Sequence, residues 1–240
     1  MAVVRTFHLP HYEAYPVHIC LFSDVTNAAF LRRQLLEANP EFDYAFLDAS
    51  MILTPTHLLT ATFLALHSTL THRAKTRTPH SELVFRLHPN NNIGEAYRKF
   101  GIHDTSTHVI AVKLGLPYSG GGGEGEGGEG EGEEGGKGGE GKDGDGEGIR
   151  TSVSAASVSK HLGDHVQGTS VEISADGGNL GRWCDVGKVR KVYKLGDGKA
   201  GKGKGKRGGD VGGMDGVDGD GDERKEMESV IMGIMTIKGS

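Results

Sequence analysis

The sequence predicts an α+β fold: a single domain over residues 1–240, with a small, mostly antiparallel sheet packed against several helices, and two disordered glycine-rich insertions. Three observations carry this reading. Short apolar segments at 3–9, 17–22 and 107–114 have the length and composition of strands. Longer stretches at 27–38, 55–71 and 186–195 repeat apolar residues at helical spacing. Two further segments have almost no apolar surface to bury. Residues 120–148 hold 17 Gly, 10 acidic residues and 2 Lys, a net charge of −8, and cannot offset the entropy of ordering. Residues 196–222 are basic first (Lys199, Lys202, Lys204, Lys206, Arg207) and acidic afterwards (Asp215, Asp218, Asp220, Asp222). Without both, 184 residues remain, enough for one sizeable core.

Taken in order, residues 3–9 and 17–22 read as two strands joined by a turn at 11–16. Asp24 or Thr26 is placed to cap the helix 27–38, whose stripe is Ala28, Leu31, Leu35 and Ala38. Residues 44–53 are mostly apolar, with a strand expected at 50–53. Thr54-Pro55 is a helix start, an N-cap followed by Pro at N1. Leu58, Leu59, Phe63, Leu66 and Leu70 give the following helix a wide apolar face. A basic turn comes next (Lys75, Thr76, Arg77, Thr78). In 82–87, Leu83, Phe85 and Leu87 alternate with Glu82, Val84 and Arg86, the period of a half-buried strand. Asn90, Asn91 and Asn92 then open a short helix carrying Ile93, Ala96, Tyr97 and Phe100, and Gly101 is expected in the left-handed region at its end. Residues 152–161 are weakly helical, and Asp185 caps 186–195. The last helix, 223–238, carries Met227, Val230, Ile231, Ile234 and Ile237, with Met232 and Met235 beside that stripe. That is more apolar surface than one core face needs, which makes the helix a candidate for docking on a partner.

The stretch 75–102, KTRTPHSELVFRLHPNNNIGEAYRKFGI, carries a family resemblance. KTRT, an E-[IVL]-[IVF]-F strand, L-x-P-N-N-N-I-x-E-A and K-F-G-I resemble the PRPK-binding protein (TPRKB) family, the small non-catalytic subunit of the KEOPS/EKC complex. Residues 21–28 (LFSDVTNA) and 189–195 (VRKVYKL) agree, and the likeness covers roughly 1–118, 149–195 and 225–238. The resemblance implies a partner, the small atypical protein kinase of that complex, with the transferase subunit reached indirectly. It also implies tRNA binding at the acceptor end, in support of threonylcarbamoyladenosine (t6A) modification next to the anticodon. On this basis Lys75, Thr76, Arg77, Asn90, Asn91 and Asn92 are the RNA-side candidates. The apolar helices, with Met227, Val230, Ile231, Ile234 and Met235, are the kinase-side candidates. A nuclear and cytoplasmic location and a role in telomere maintenance are further expectations of membership.

The residue types themselves allow an RNA reading. Arg73, Lys75, Arg77, Arg98 and Lys99 cluster if the basic turn and the short helix lie side by side, and such a cluster attracts a phosphate backbone. The alternative is a protein-only regulator of the kinase in which the turn is structural and touches no RNA. The whole-chain charge of −5 does not exclude an RNA partner, because residues 120–148 alone supply −8.

Catalytic chemistry is not expected. Twelve histidines are scattered, and neither His8/His11 nor His161/His165 converges with enough ligands for a zinc site. G-x-G-x-x-G at 196–201 is followed by no apolar helix, and 218–222 lacks the glycine and glutamate of a calcium loop. We therefore expect a non-enzyme without metal or cofactor. Two cysteines suggest no disulfide framework, and no apolar run reaches membrane-spanning length.

Overall fold

The computed structural model describes residues 1–116, 153–196 and 219–238. The predicted insertion 120–148 and most of 196–222 lie outside them.

Five strands form one antiparallel sheet: β1 (Arg5–Phe7), β2 (Val17–Ser23), β3 (Ala45–Asp48), β4 (Val109–Leu114) and β5 (Thr169–Val171). Their order is β1-β2-β4-β3. β1 pairs with β2 from Val17 to Ile19, and β5 continues along β2 from Leu21 to Ser23. β2 and β4, in the middle, are apolar on both faces apart from His18, Ser23 and Lys113, because helices cover both faces. Val17, Ile19, Leu21, Ile110, Val112 and Leu114 face one core with α2 (Pro55–Leu70), α3 (Pro79–Leu87), α4 (Ile93–Phe100), α6 (Val186–Tyr193) and α7 (Gly219–Lys238). Cys20, Phe22, Val109 and Ala111 face the other, with α1 (Ala28–Leu36) and α5 (Ala155–His165).

The caps at Thr54, Asn92 and Asp185 form as expected, each side chain accepting the N3 backbone N–H. Other expectations are corrected. Residues 82–87 are not a strand but most of α3. Thr78 caps that helix by accepting from Ser81 N, and Pro79 sits at its start. Every residue of 82–87 is buried, so no exposed face marked the helical period; Glu82 and Arg86 lie one turn apart and pair with each other instead.

The strand expected at 50–53 is the earlier β3. The Asp48 side chain accepts from Ser50 N and turns the chain into a 3₁₀ turn over Ala49–Met51. α1 uses neither Asp24 nor Thr26 as its cap. Asn27 holds that position, and its amide bonds His165 O and Gln167 N (2.8 and 2.9 Å), tying α1 to the end of α5. Gly101 is extended (φ −70°), not left-handed. Glycine is needed there for space, since a Cβ would meet Tyr97 O at 2.6 Å. α5 continues through Gly163 to His165, where a Cβ would strike Met1 Cα at 2.6 Å, so the glycine lets the N-terminus cross the helix. α7 begins at Gly219, inside the predicted 196–222 segment; Asp222 and Glu223 favour the helix N-terminal end through the macrodipole.

Candidate protein and nucleic-acid interfaces

The basic turn is built around a buried carboxylate. Glu82 is fully buried, and its Oε2 accepts from Lys75 N (2.9 Å), Thr76 N (3.0 Å) and Thr76 Oγ1 (3.0 Å). Its Oε1 accepts from Arg86 Nε at 2.8 Å. Arg86 in turn donates to Ser68 Oγ on α2 (2.7 Å), and Ser68 donates to Leu64 O. Glu82 thus takes the backbone donors of the loop on one oxygen and the guanidinium on the other. The consequence separates the candidates. Thr76 braces the turn with its hydroxyl, whereas Lys75 and Arg77 project outward and are exposed, as is Arg73.

The asparagines stand at the opposite end of α3. That helix has nine residues, about 13 Å, between the two motifs. Asn90 N donates to His88 Nδ1 (3.1 Å), and Asn92 Oδ1 accepts from Glu95 N (3.1 Å). All three asparagine side chains are exposed. α4 then runs back, and Tyr97 Oη meets Ser81 Oγ at 3.0 Å beside the first turn of α3.

Arg98 and Lys99 look toward α6 rather than joining the basic turn. Lys99 shares one shallow depression with His88, Asn90 and Lys191; an adjoining depression brings Arg98 and Lys99 together with Lys188, Lys191, Ser50 and His103. Arg98 is paired with Glu95 (2.9 Å) and Lys188 with Asp185 (3.5 Å). Lys188 and Lys191 were not among the sequence candidates, although the VRKVYKL match at 189–195 includes Lys191.

The kinase-side candidates divide in two. Met227, Ile231 and Met235, one helical turn apart in sequence, are buried in the protein's own core against α2 and α3. Val230 (50 % exposed) lies on the outer side, beside the non-candidate Ile237 (76 % exposed), and Ile234 is half-buried at the edge of the core. The end of α7 is latched: Lys238 Nζ donates to Phe85 O and His88 O, the last carbonyls of α3, and lies 3.6 Å from the centroid of the Phe85 ring. Burial lowers this amine to about 8, with the Arg86 charge adding to the effect.

A second buried chain joins the same helix end. Leu53 N donates to His57 Nδ1 (3.2 Å), which leaves the proton on Nε2, 2.9 Å from Tyr193 Oη; Tyr193 donates to Leu87 O. Burial lowers the His57 imidazole to about 3 and pushes the Tyr193 phenol up.

Among the described residues, no group of three or more His, Cys, Asp or Glu is placed to hold a metal ion, and no helix is long and apolar enough to cross a membrane. His165 Nδ1 bonds His161 O (2.7 Å) within α5. Both cysteines are free, and burial pushes their thiols up to about 12 (Cys20) and about 11 (Cys184), which leaves neither as a reactive thiolate.

Residues 22–239 match the family model described as kinase binding protein CGI-121. The chain belongs to the CGI-121 kinase binding protein family. Among curated relatives, the EKC/KEOPS complex subunit CGI121 of Phaeosphaeria nodorum is 54 % identical, over 99 % of this chain and 100 % of its own. The EKC/KEOPS complex subunit cgi121 of Aspergillus fumigatus is 33 % identical over 99 % of this chain and 97 % of its own. That of Yarrowia lipolytica is 42 % identical, but over 41 % of this chain and 59 % of its own.

Proposed function

We propose that this CGI-121 family protein is a non-catalytic subunit of an EKC/KEOPS complex. It docks on the complex's small atypical kinase, and through it on the transferase assembly, and helps hold tRNA for t6A formation in the nucleus and cytoplasm. A telomere role belongs to the same reading only as far as the complex has one. The observation that carries the RNA half is the loop around Glu82: three donors of the turn are spent on the buried carboxylate, while Lys75 and Arg77 remain exposed. The fold fixes the backbone and leaves the charges free for a phosphate. The kinase half is supported by family membership and by the exposed apolar residues Val230 and Ile237 on α7.

The test uses the full chain with its cognate kinase. Wild type should co-elute 1:1 with the kinase, and Lys75→Glu/Arg77→Glu should keep that complex while weakening tRNA binding about tenfold or more. Unchanged tRNA binding by a folded double variant would favour the protein-only regulator. Failure to co-elute would remove the kinase half.

A further inference from the structure

We infer that the α4–α6 face is a track for single-stranded RNA, running from Asn90 across Lys99, Lys191 and Lys188 to the Trp183–His108 ring pair. This rests on the RNA reading above and extends it to residues that the sequence motifs did not select. Lys99 and Lys191 border both shallow depressions, so these are continuous, and Asn90 opens the first. The second leads to Ser50, whose carbonyl accepts from Asp185 N at 2.8 Å, two residues from Trp183. Ala49 N donates to His108 O at 3.0 Å, which sets His108 beside this turn, and its Nδ1 lies 3.0 Å from Thr107 Oγ1. There the half-buried rings of Trp183 and His108 lie 4.5 Å apart at 31°, and the exposed Arg182 guanidinium sits 5.6 Å from the Trp183 ring.

Cations along a shallow path, ending on an aromatic stack with an arginine neighbour, are what an unpaired strand requires: backbone neutralisation plus a surface on which bases stack. The acidic side chains along the path are already engaged. Glu95 pairs with Arg98, Asp185 accepts from Lys188, and Asp48 accepts from Ser50 N and Ser106 Oγ. Lys99 and Lys191 have no ion-pair partner among the described residues. An acidic peptide would use the lysines but leave the ring stack and the asparagine amide without purpose.

Trp183 is the sole tryptophan, so its emission is a built-in reporter. The full chain is titrated with a labelled uridine-rich 12-mer RNA and, separately, with a glutamate-rich peptide. RNA should quench Trp183, and Lys188→Glu/Lys191→Glu should weaken oligomer binding at least tenfold, with the log-log salt slope reduced by about 1.4. Trp183→Phe, which keeps a ring, should weaken it only a few-fold, while Trp183→Ala should cost about fivefold or more.

Retained oligomer affinity in Lys188→Glu/Lys191→Glu, with tRNA binding still sensitive to Lys75→Glu/Arg77→Glu, overturns the track and leaves the proposed function standing. Peptide binding as tight as RNA, without quenching, reassigns the face to an acidic protein. No RNA binding by the wild type, to oligomer or tRNA, overturns the RNA reading itself.

Discussion

Replacing Glu82 by alanine isolates the structural role of the basic turn. The residue is fully buried, and Arg86 beside it has a side chain only 4 % exposed. Without the carboxylate, Arg86 keeps a single neutral partner, Ser68 Oγ, and stays charged in the interior. Removing one member of a buried pair in this way costs about 3–5 kcal/mol. The freed N–H groups of Lys75 and Thr76 add little, because the exposed loop can turn them to water. At about 2–4 °C per kcal/mol for a chain of this size, the thermal midpoint should fall by roughly 6–20 °C. Circular dichroism measures the midpoint, and trypsin reads the loop, which should be cut faster after Lys75 and Arg77. Replacing both partners by apolar residues, Glu82→Leu/Arg86→Met, should recover much of the loss because no charge is left buried. A midpoint within about 2 °C of wild type for Glu82→Ala, or a double variant no better than the single, would refute the argument.

Tyr193→Phe removes the hydroxyl between His57 Nε2 and Leu87 O, and should cost about 1–3 kcal/mol in chemical denaturation at an unchanged m-value. The His57 imidazole is lowered from 6.5 to about 3 in the fold, so between those values the unfolded chain binds a proton that the native protein refuses. Its share of stability is therefore complete above pH 6.5 and lost as pH falls through the window, at about 1.4 kcal/mol per unit; His57→Gln should flatten that slope in denaturation curves from pH 7 to 4.5. On α7, Val230→Asp/Ile237→Asp should keep the fold and abolish co-elution with the kinase, while Ile231→Asp should fail to fold, as solubility and circular dichroism would show. Lys238→Met should release the last carbonyls of α3 and speed amide exchange across residues 88–92 by about threefold or more, with the core amides of β2 and β4 unchanged.

What the sequence made legible followed from local chemistry. Thr54-Pro55, Asn92 and Asp185 announce helix starts because a single side chain satisfies a nearby N–H, and each forms. Thr78-Pro79 carries the same signature, yet the alternation of 82–87 outweighed it. The period misled because burial there is complete: the polar residues that seemed to mark a wet face, Glu82 and Arg86, are an internal pair. The strand misplaced to 50–53 turns on one Asp48 side chain, a tertiary detail below the resolution of a hydropathy pattern. Among the candidates, the motif picks out KTRT and NNN, but not their positions at opposite ends of one helix. The width of the apolar stripe on α7 points Met227, Ile231 and Met235 toward a partner. Its inner half is needed where α7 closes over α2 and α3, a contact between segments more than a hundred residues apart.

α3 is the element on which these features converge. Its first turn anchors the basic loop through Glu82, its body is pinned to α2 through Arg86 and Ser68, and its last carbonyls are taken by Lys238 and Tyr193. The two capping side chains come from α7, whose outer side is the proposed kinase surface, and from α6, which borders the basic track. His88 lies at that junction: its carbonyl accepts from Lys238 and its Nδ1 from Asn90 N. A buried polar network is rigid only while every member is satisfied. A partner that holds the end of α7 therefore also holds the C-terminal end of α3 and the asparagines beyond it. Under the proposed function, protein docking and RNA positioning would therefore share one set of hydrogen bonds, with no movement of the sheet required.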